Sequence, residues 1–181
     1  MLLIDKVDKK SYGAKELGLE KGDSIISFNG YPVEDILDYV YFDGQETFTM
    51  DVLTKDGETV TVDVDKYEDE SLGLTFVDDG LKIKTCYNDC IFCFVKQMPC
   101  GMRPTLYVKD DDYRQSLLYG NFVTMTNVSD ADLDRIIRLQ FSPLYVSVQA
   151  MNGEVRKKML NNRFADKIWY QLKRLEEGGI T

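Results

Sequence analysis

Three cysteines crowded into one short stretch, Cys86-Tyr87-Asn88-Asp89-Cys90-Ile91-Phe92-Cys93, constrain this chain more than any other feature. All four cysteines lie between Cys86 and Cys100, and there is no histidine. Such clustering points to a metal site rather than a disulfide framework. The absence of histidine removes Cys–His nucleophile pairs, mixed Cys/His zinc sites and the commonest general base. Three thiolates from one C-x3-C-x2-C loop can ligate three irons of a cubane cluster, leaving the fourth iron without a protein ligand. Other readings stand beside that one. Cys86, Cys90, Cys93 and Cys100 can together hold a structural zinc ion. Cys100 can instead be the fourth ligand of an electron-transfer cluster, or the thiols can be ordinary buried residues.

The surroundings divide into two unlike regions, with domains expected at 1–78 and 79–181. The first is mostly β. Ser11 to Leu17 suits a short helix with Gly18 as its left-handed cap. A strand is expected over Ser24 to Phe28, ended by the turn pair Asn29-Gly30. Val33, Ile36, Leu37 and Val40 have helical spacing. Phe48 to Leu53 and Thr59 to Val64 alternate like strands about Asp56-Gly57. From Leu81 onward strands and helices alternate, implying parallel βαβ units. Strands are expected at Leu81 to Lys84, Phe122 to Met125 and Leu144 to Gln149. A helix capped by Ser129, with Asp132 in the capping-box position, follows the second. Ala165, Ile168, Trp169, Leu172 and Leu175 form a helical stripe closed by Gly178-Gly179. The chain stops at Ile180-Thr181, where another strand is expected, so it reads as a fragment of a longer protein.

Charge and hydropathy exclude some classes. Asp and Glu outnumber Lys and Arg by 31 to 22. That balance argues against a phosphate-backbone binder, and so against nucleic acid as a partner. No secretory signal is evident, and no run approaches the ~20 apolar residues of a membrane span. A cytoplasmic protein with reduced thiols is expected. Asp110-Asp111-Asp112 reads as a solvated loop, and Arg156-Lys157-Lys158 as a solvated helix face. In the third expected strand Leu144, Val146 and Val148 share one face, while Tyr145, Ser147 and Gln149 share the other. The polar face would look into a barrel lumen, or into solvent from an edge strand.

The cysteine spacing, with Phe92 just before the last cysteine, resembles the signature of the radical S-adenosylmethionine superfamily. The wider stretch resembles a group of iron–sulfur oxidoreductases that join an N-terminal PDZ-like segment, a radical core and a C-terminal domain of unknown function. Its matching residues run Cys86 to Gln97, Gly101 to Arg103, Lys109 to Arg114, Tyr119 to Phe122 and Ser142 to Ser147. The resemblance implies an α/β chain (α+β overall): a small PDZ-like domain, then the first βα units of a partial (β/α) barrel. It implies a [4Fe-4S] cluster on Cys86, Cys90 and Cys93, whose open iron is chelated by S-adenosylmethionine. Reductive cleavage then yields a 5'-deoxyadenosyl radical, with electrons from an external donor of flavodoxin or ferredoxin type. By the same resemblance Phe92 lies against the adenine, although it also suits plain core. Thr126 and Asn127 stand where many members carry Gly-Gly-Glu, and offer polar groups for the methionine end. Asn127 is equally suited to forming a turn. Ser147 and Gln149 complete the candidate cofactor-binding set. No residue chooses a substrate.

Ala14, Leu17-Gly18-Leu19, Gly22-Asp23, Ile25-Ile26, Asn29-Gly30 and Val33 resemble a bacterial PDZ domain. Such domains bind an extended peptide or protein C-terminus at a sheet edge. Leu72, Gly73 and Leu74 are then the candidate loop for the terminal carboxylate. A structural module without a peptide ligand fits the same residues.

Overall fold

A computed structural model describes all residues 1–181. The chain is mixed α/β and divides into two compact units, Met1–Leu81 and Lys82–Thr181.

The first unit is one antiparallel sheet with two helices. Its strands are β1 (Leu2–Val7), β2 (Ser24–Phe28), β3 (Tyr31–Pro32), β4 (Thr47–Leu53), β5 (Thr59–Asp65) and β6 (Leu74–Phe76). The order is β5-β4-β2-β1-β6, with the short β3 paired to β2. Asn29 and Gly30 both have positive φ, at 48° and 76°. A two-residue turn of that kind matches the twist of its flanking strands, which is why the hairpin forms there. Alternation buries Phe48, Met50 and Val52 of β4 on one face. Helix α1 (Tyr12–Lys15) is capped by Ser11, and α2 (Ile36–Asp43) by a reciprocal Asp35–Asp38 capping box. Phe42 of α2 stacks on Phe28 at 4.7 Å between ring centroids, and Phe48 closes the cluster at 5.5–5.7 Å from both. Three strands had not been expected, the short β3 and the two that follow here. β1 occupies a central place, between β2 and β6, with Leu2 and Ile4 turned inward. β6 takes up part of the segment read as a carboxylate loop.

The second unit carries four helices, α3 (Tyr113–Tyr119), α4 (Asp130–Arg138), α5 (Gly153–Leu160) and α6 (Ile168–Glu177). The three strands expected here do not form as regular strands. Only two isolated bridges remain, Thr85 with Asp110 (antiparallel) and Val123 with Val146 (parallel). Side chains from adjoining segments take backbone groups that a ladder would use. Asp112 accepts from the Lys84 N–H, Asp111 from the Thr124 N–H and Ser116 from the Tyr145 N–H. The parallel pairing survives where the Val123 N–H donates to the Tyr145 carbonyl at 2.9 Å and the Ser147 N–H to the Val123 carbonyl at 2.8 Å.

Helix α4 begins at Ser129 with the reciprocal Asp132 box and buries Leu133 and Ile136 completely. It packs against α6, where Gly178 lies so close that a Cβ there would sit 2.6 Å from Ile137. The stripe expected on α6 holds except at one residue. Ala165, Ile168 and Leu175 are buried as expected, but Trp169 is 64% exposed and Gln171 is buried in its place. Gln171 remains hydrogen-bonded there, donating to the Met125 and Val128 carbonyls. No helix is long and apolar enough to cross a membrane.

Candidate functional site

Cys86, Cys90 and Cys93 line one cavity of about 240 Å³ in the second unit. None is in a disulfide. Phe92, Phe94, Val95, Val108 and Phe122 form its apolar part. Thr124, Ser147, Gln149, Lys109 and Asp110 supply polar groups. The expected residues Phe92, Ser147 and Gln149 therefore share the space of the three thiols. Cys100 is exposed and does not line this cavity. As the side chains stand, no three Cys, Asp or Glu groups are close enough together to hold a metal ion.

Backbone bonds set the loop before any ligand is considered. The Cys86 N–H donates to the Lys109 carbonyl, the Asp89 N–H to the Leu160 carbonyl and the Ile91 N–H to the Met159 carbonyl. The end of α5 thus holds the middle of the C-x3-C-x2-C loop. Burial pushes the Cys86 thiol above its ordinary pKa. Burial also raises Cys90, and the neighbouring sulfurs of Cys86 and Cys93 add to the shift. Thiols raised in this way ligate only when a cation displaces their protons.

Asn88, inside the loop, is 3% exposed and is the residue that sequence reasoning missed. Its amide donates to Thr124 Oγ1 at 2.8 Å. Its carbonyl oxygen Oδ1 accepts from Thr126 Oγ1 at 2.9 Å and from Asn162 Nδ2 at 2.7 Å. Lys109 Nζ donates to the Asn88 backbone carbonyl at 2.8 Å. A polar residue between two cysteines was the available signal, but the partners of its side chain lie 36 to 74 residues away.

The acidic triplet is not a solvated loop. Asp111 and Asp112 are 2% and 0% exposed. Asp111 accepts from the Thr124 N–H and Oγ1, both at 2.6 Å, and from Thr126 Oγ1 at 3.1 Å. Asp112 caps α3 and pairs with Arg114 at 2.7 Å. The second correction concerns Arg156, which was expected on a solvated face and is fully buried. Its guanidinium donates to the carbonyls of Val148, Ala165, Thr124 and Ser147, at 2.7–3.2 Å, and more weakly to Gln149 Oε1.

Thr126 and Asn127 do not line the thiol cavity. They face a separate, open cavity of about 770 Å³ with Lys84, Tyr87, Arg163 and Phe164. Thr126 is bound to Asn88 and Asp111, and Asn127 Nδ2 donates to the Thr85 carbonyl. Both serve here to fasten the backing of the cysteine loop.

In the first unit, the amides of Leu72, Gly73 and Leu74 are all engaged internally. The Leu72 N–H donates to Asp43 Oδ1 at 2.6 Å, the Gly73 N–H to Ser71 Oγ at 2.9 Å and the Leu74 N–H to the Tyr39 hydroxyl at 3.1 Å. Leu72 is completely buried. An internal carboxylate, that of Asp43, thus sits on the amide expected to meet a peptide terminus.

No curated protein matches the chain. Residues 66–181, well over half of it, match the family described as the radical SAM-like domain. With its three unpaired cysteines converging on one cavity within that matched region, the chain belongs to the radical SAM-like domain family.

Proposed function

We propose that this chain is a radical S-adenosylmethionine enzyme in which Cys86, Cys90 and Cys93 hold a [4Fe-4S] cluster. The observation that carries the reading is the convergence of these three thiols, and not of Cys100, on one cavity. The donor set fits the group: three soft sulfurs from one loop, no histidine and no fourth cysteine on the cavity wall. Once bound, the cluster supplies the electron for reductive cleavage of S-adenosylmethionine to methionine and a 5'-deoxyadenosyl radical, as in an oxidoreductase of unassigned substrate.

The chain's own residues do the positioning. Asn88 and the end of α5 hold the loop, so that assembly requires movement of thiol side chains rather than of backbone. Phe92, Phe94, Val108 and Phe122 give the cavity an apolar rim, although each is 40–78% exposed. Ser147 and Gln149 present a hydroxyl and an amide to a polar cofactor, and Gln149 Nε2 already donates to Ser147 Oγ at 2.6 Å. Electrons come from an external flavodoxin- or ferredoxin-type donor. Four cysteines without a disulfide suit a reducing compartment, so we place the protein in the cytoplasm. The first unit is read as a PDZ-like module, and the internally satisfied Leu72–Leu74 amides favour a structural role over peptide capture.

Anaerobic reconstitution with iron and sulfide tests the site. Wild type and Cys100→Ala take up matching amounts of iron and sulfide, whereas Cys86→Ala, Cys90→Ala and Cys93→Ala each lose them. Full cluster content in any of the last three, or zinc in place of iron, refutes the reading.

A further inference from the structure

Arg156 is a cation in an unusual place. It is 0% exposed, yet each of its hydrogen-bond acceptors is an uncharged oxygen. A buried charge of either sign is costly unless it is paired or solvated by dipoles. Here backbone carbonyls do the solvating, and they come from particular residues. Three of the five acceptors belong to Thr124, Ser147 and Gln149, which line the thiol cavity. The guanidinium therefore lies directly behind the cavity wall. On another side of the same wall, Asp111 binds the Thr124 N–H and hydroxyl. Thr124 thus separates a buried positive charge, on its carbonyl, from a buried negative charge, on its amide. A requirement for strand geometry alone would be met by an uncharged donor, without the desolvation that a guanidinium brings.

We propose that Arg156 is an electrostatic positioning residue for the cysteine site. Its charge, one residue behind the wall, raises the electron affinity of a cluster held by Cys86, Cys90 and Cys93, and Asp111 opposes it. The inference rests on the cluster reading given above. Fixed charges near a cluster and burial around it are among the factors that set its potential. Arg156 and Asp111 are both buried, so salt screens their charges little. The direction of the effects supports the arrangement: burial lowers the Arg156 pKa, while the Asp111 carboxylate acts to raise it. Arg156 stays protonated at any working pH. It touches no substrate, and holds the Ser147 carbonyl and Gln149 side chain in place while supplying its field.

The test uses the full chain, reconstituted anaerobically, with iron and sulfide measured first and the midpoint potential then read by electron paramagnetic resonance during a redox titration. Arg156→Gln removes the charge, Arg156→Lys keeps it and Asp111→Asn removes the opposing one. The expected result is that Arg156→Gln lowers the one-electron reduction equilibrium at least tenfold, a shift of about 59 mV to more negative potential. Arg156→Lys stays near wild type and Asp111→Asn shifts to more positive potential. A purely structural role would move the Lys and Gln variants together. Cluster-bearing Arg156→Gln with the wild-type midpoint overturns the proposal and leaves the cluster reading standing. Wild type that takes up no iron and sulfide removes both. If Arg156→Gln does not load, Asp111→Asn decides: a positive shift supports the proposal, and no shift overturns it.

Discussion

Replacing Asn88 with alanine strips the cysteine loop of its side-chain anchor while leaving every thiol in place. Three hydrogen bonds are lost, to Thr124 Oγ1, Thr126 Oγ1 and Asn162 Nδ2. Each is worth roughly 0.5–1.5 kcal/mol net in a site shielded from water. The two threonine hydroxyls keep Asp111 as a partner, so they are not orphaned. Only Asn162 gives up its contact outright, and it is partly exposed to water. The loss should therefore fall in the lower half of the summed range of about 1.5–4.5 kcal/mol, at about 2–3 kcal/mol for the second unit. Urea unfolding followed through Trp169, the one tryptophan, reads that unit selectively. Hydrogen exchange at Asp89 and Ile91, whose amides tie the loop to α5, should accelerate in parallel. A loss below about 0.5 kcal/mol with unchanged protection refutes the idea that Asn88 presets the loop.

Asp112→Ala removes the cap of α3 and leaves Arg114 without the carboxylate it meets at 2.7 Å, so the second unit should lose about 3 kcal/mol by urea unfolding. Burial alone would raise the Asp112 carboxyl, but hydrogen bonds from Arg114 and the Lys84 N–H outweigh it and hold the pKa down. Asp132 is likewise lowered against the effect of burial, by Lys84 and Ser129. Carboxylates with depressed native pKa values stabilise fully above their unfolded value of about 4, and the stabilisation is lost as pH falls through the native one. The urea midpoint should thus drop steeply below about pH 4, and less steeply in Asp112→Asn. In the first unit, Gly73→Ala puts a Cβ 2.4 Å from that of Ser11 at φ +65°, whereas Gly18→Ala, at φ +63°, meets nothing within 4 Å. Gly18→Ala should cost only the left-handed penalty of about 1–2 kcal/mol, and Gly73→Ala clearly more, as measured by urea unfolding with circular dichroism.

Local signals were legible where the chain uses local chemistry. Ser24–Phe28, the Asn29-Gly30 turn and the hairpin around Asp56-Gly57 follow from alternation and from residues that accept positive φ. The Ser129–Asp132 capping box starts α4 as its pattern requires. β1 was hidden because its apolar residues number only three before Asp5 and Lys6 break the run. Trp169 was misplaced because helical spacing alone does not say which edge of an apolar arc faces the core. The largest errors concern charge. Asp111, Asp112 and Arg156 look solvated in a window of ten residues, and their burial depends on groups up to 32 positions away, such as the Thr124 carbonyl. A periodic pattern cannot report such partners, and the same long-range polar bonds replaced the expected strands. The cysteine spacing could be read because its chemistry is local, whereas the Asn88 and Arg156 backing could not.

The most direct measurement is electron paramagnetic resonance of the reduced, reconstituted protein with and without S-adenosylmethionine. If three cysteines leave one iron open, the cluster signal shifts on addition of the cofactor, and shifts identically in Cys100→Ala. A spectrum indifferent to S-adenosylmethionine in both proteins, or a signal that Cys100→Ala abolishes, contradicts an open iron at this site.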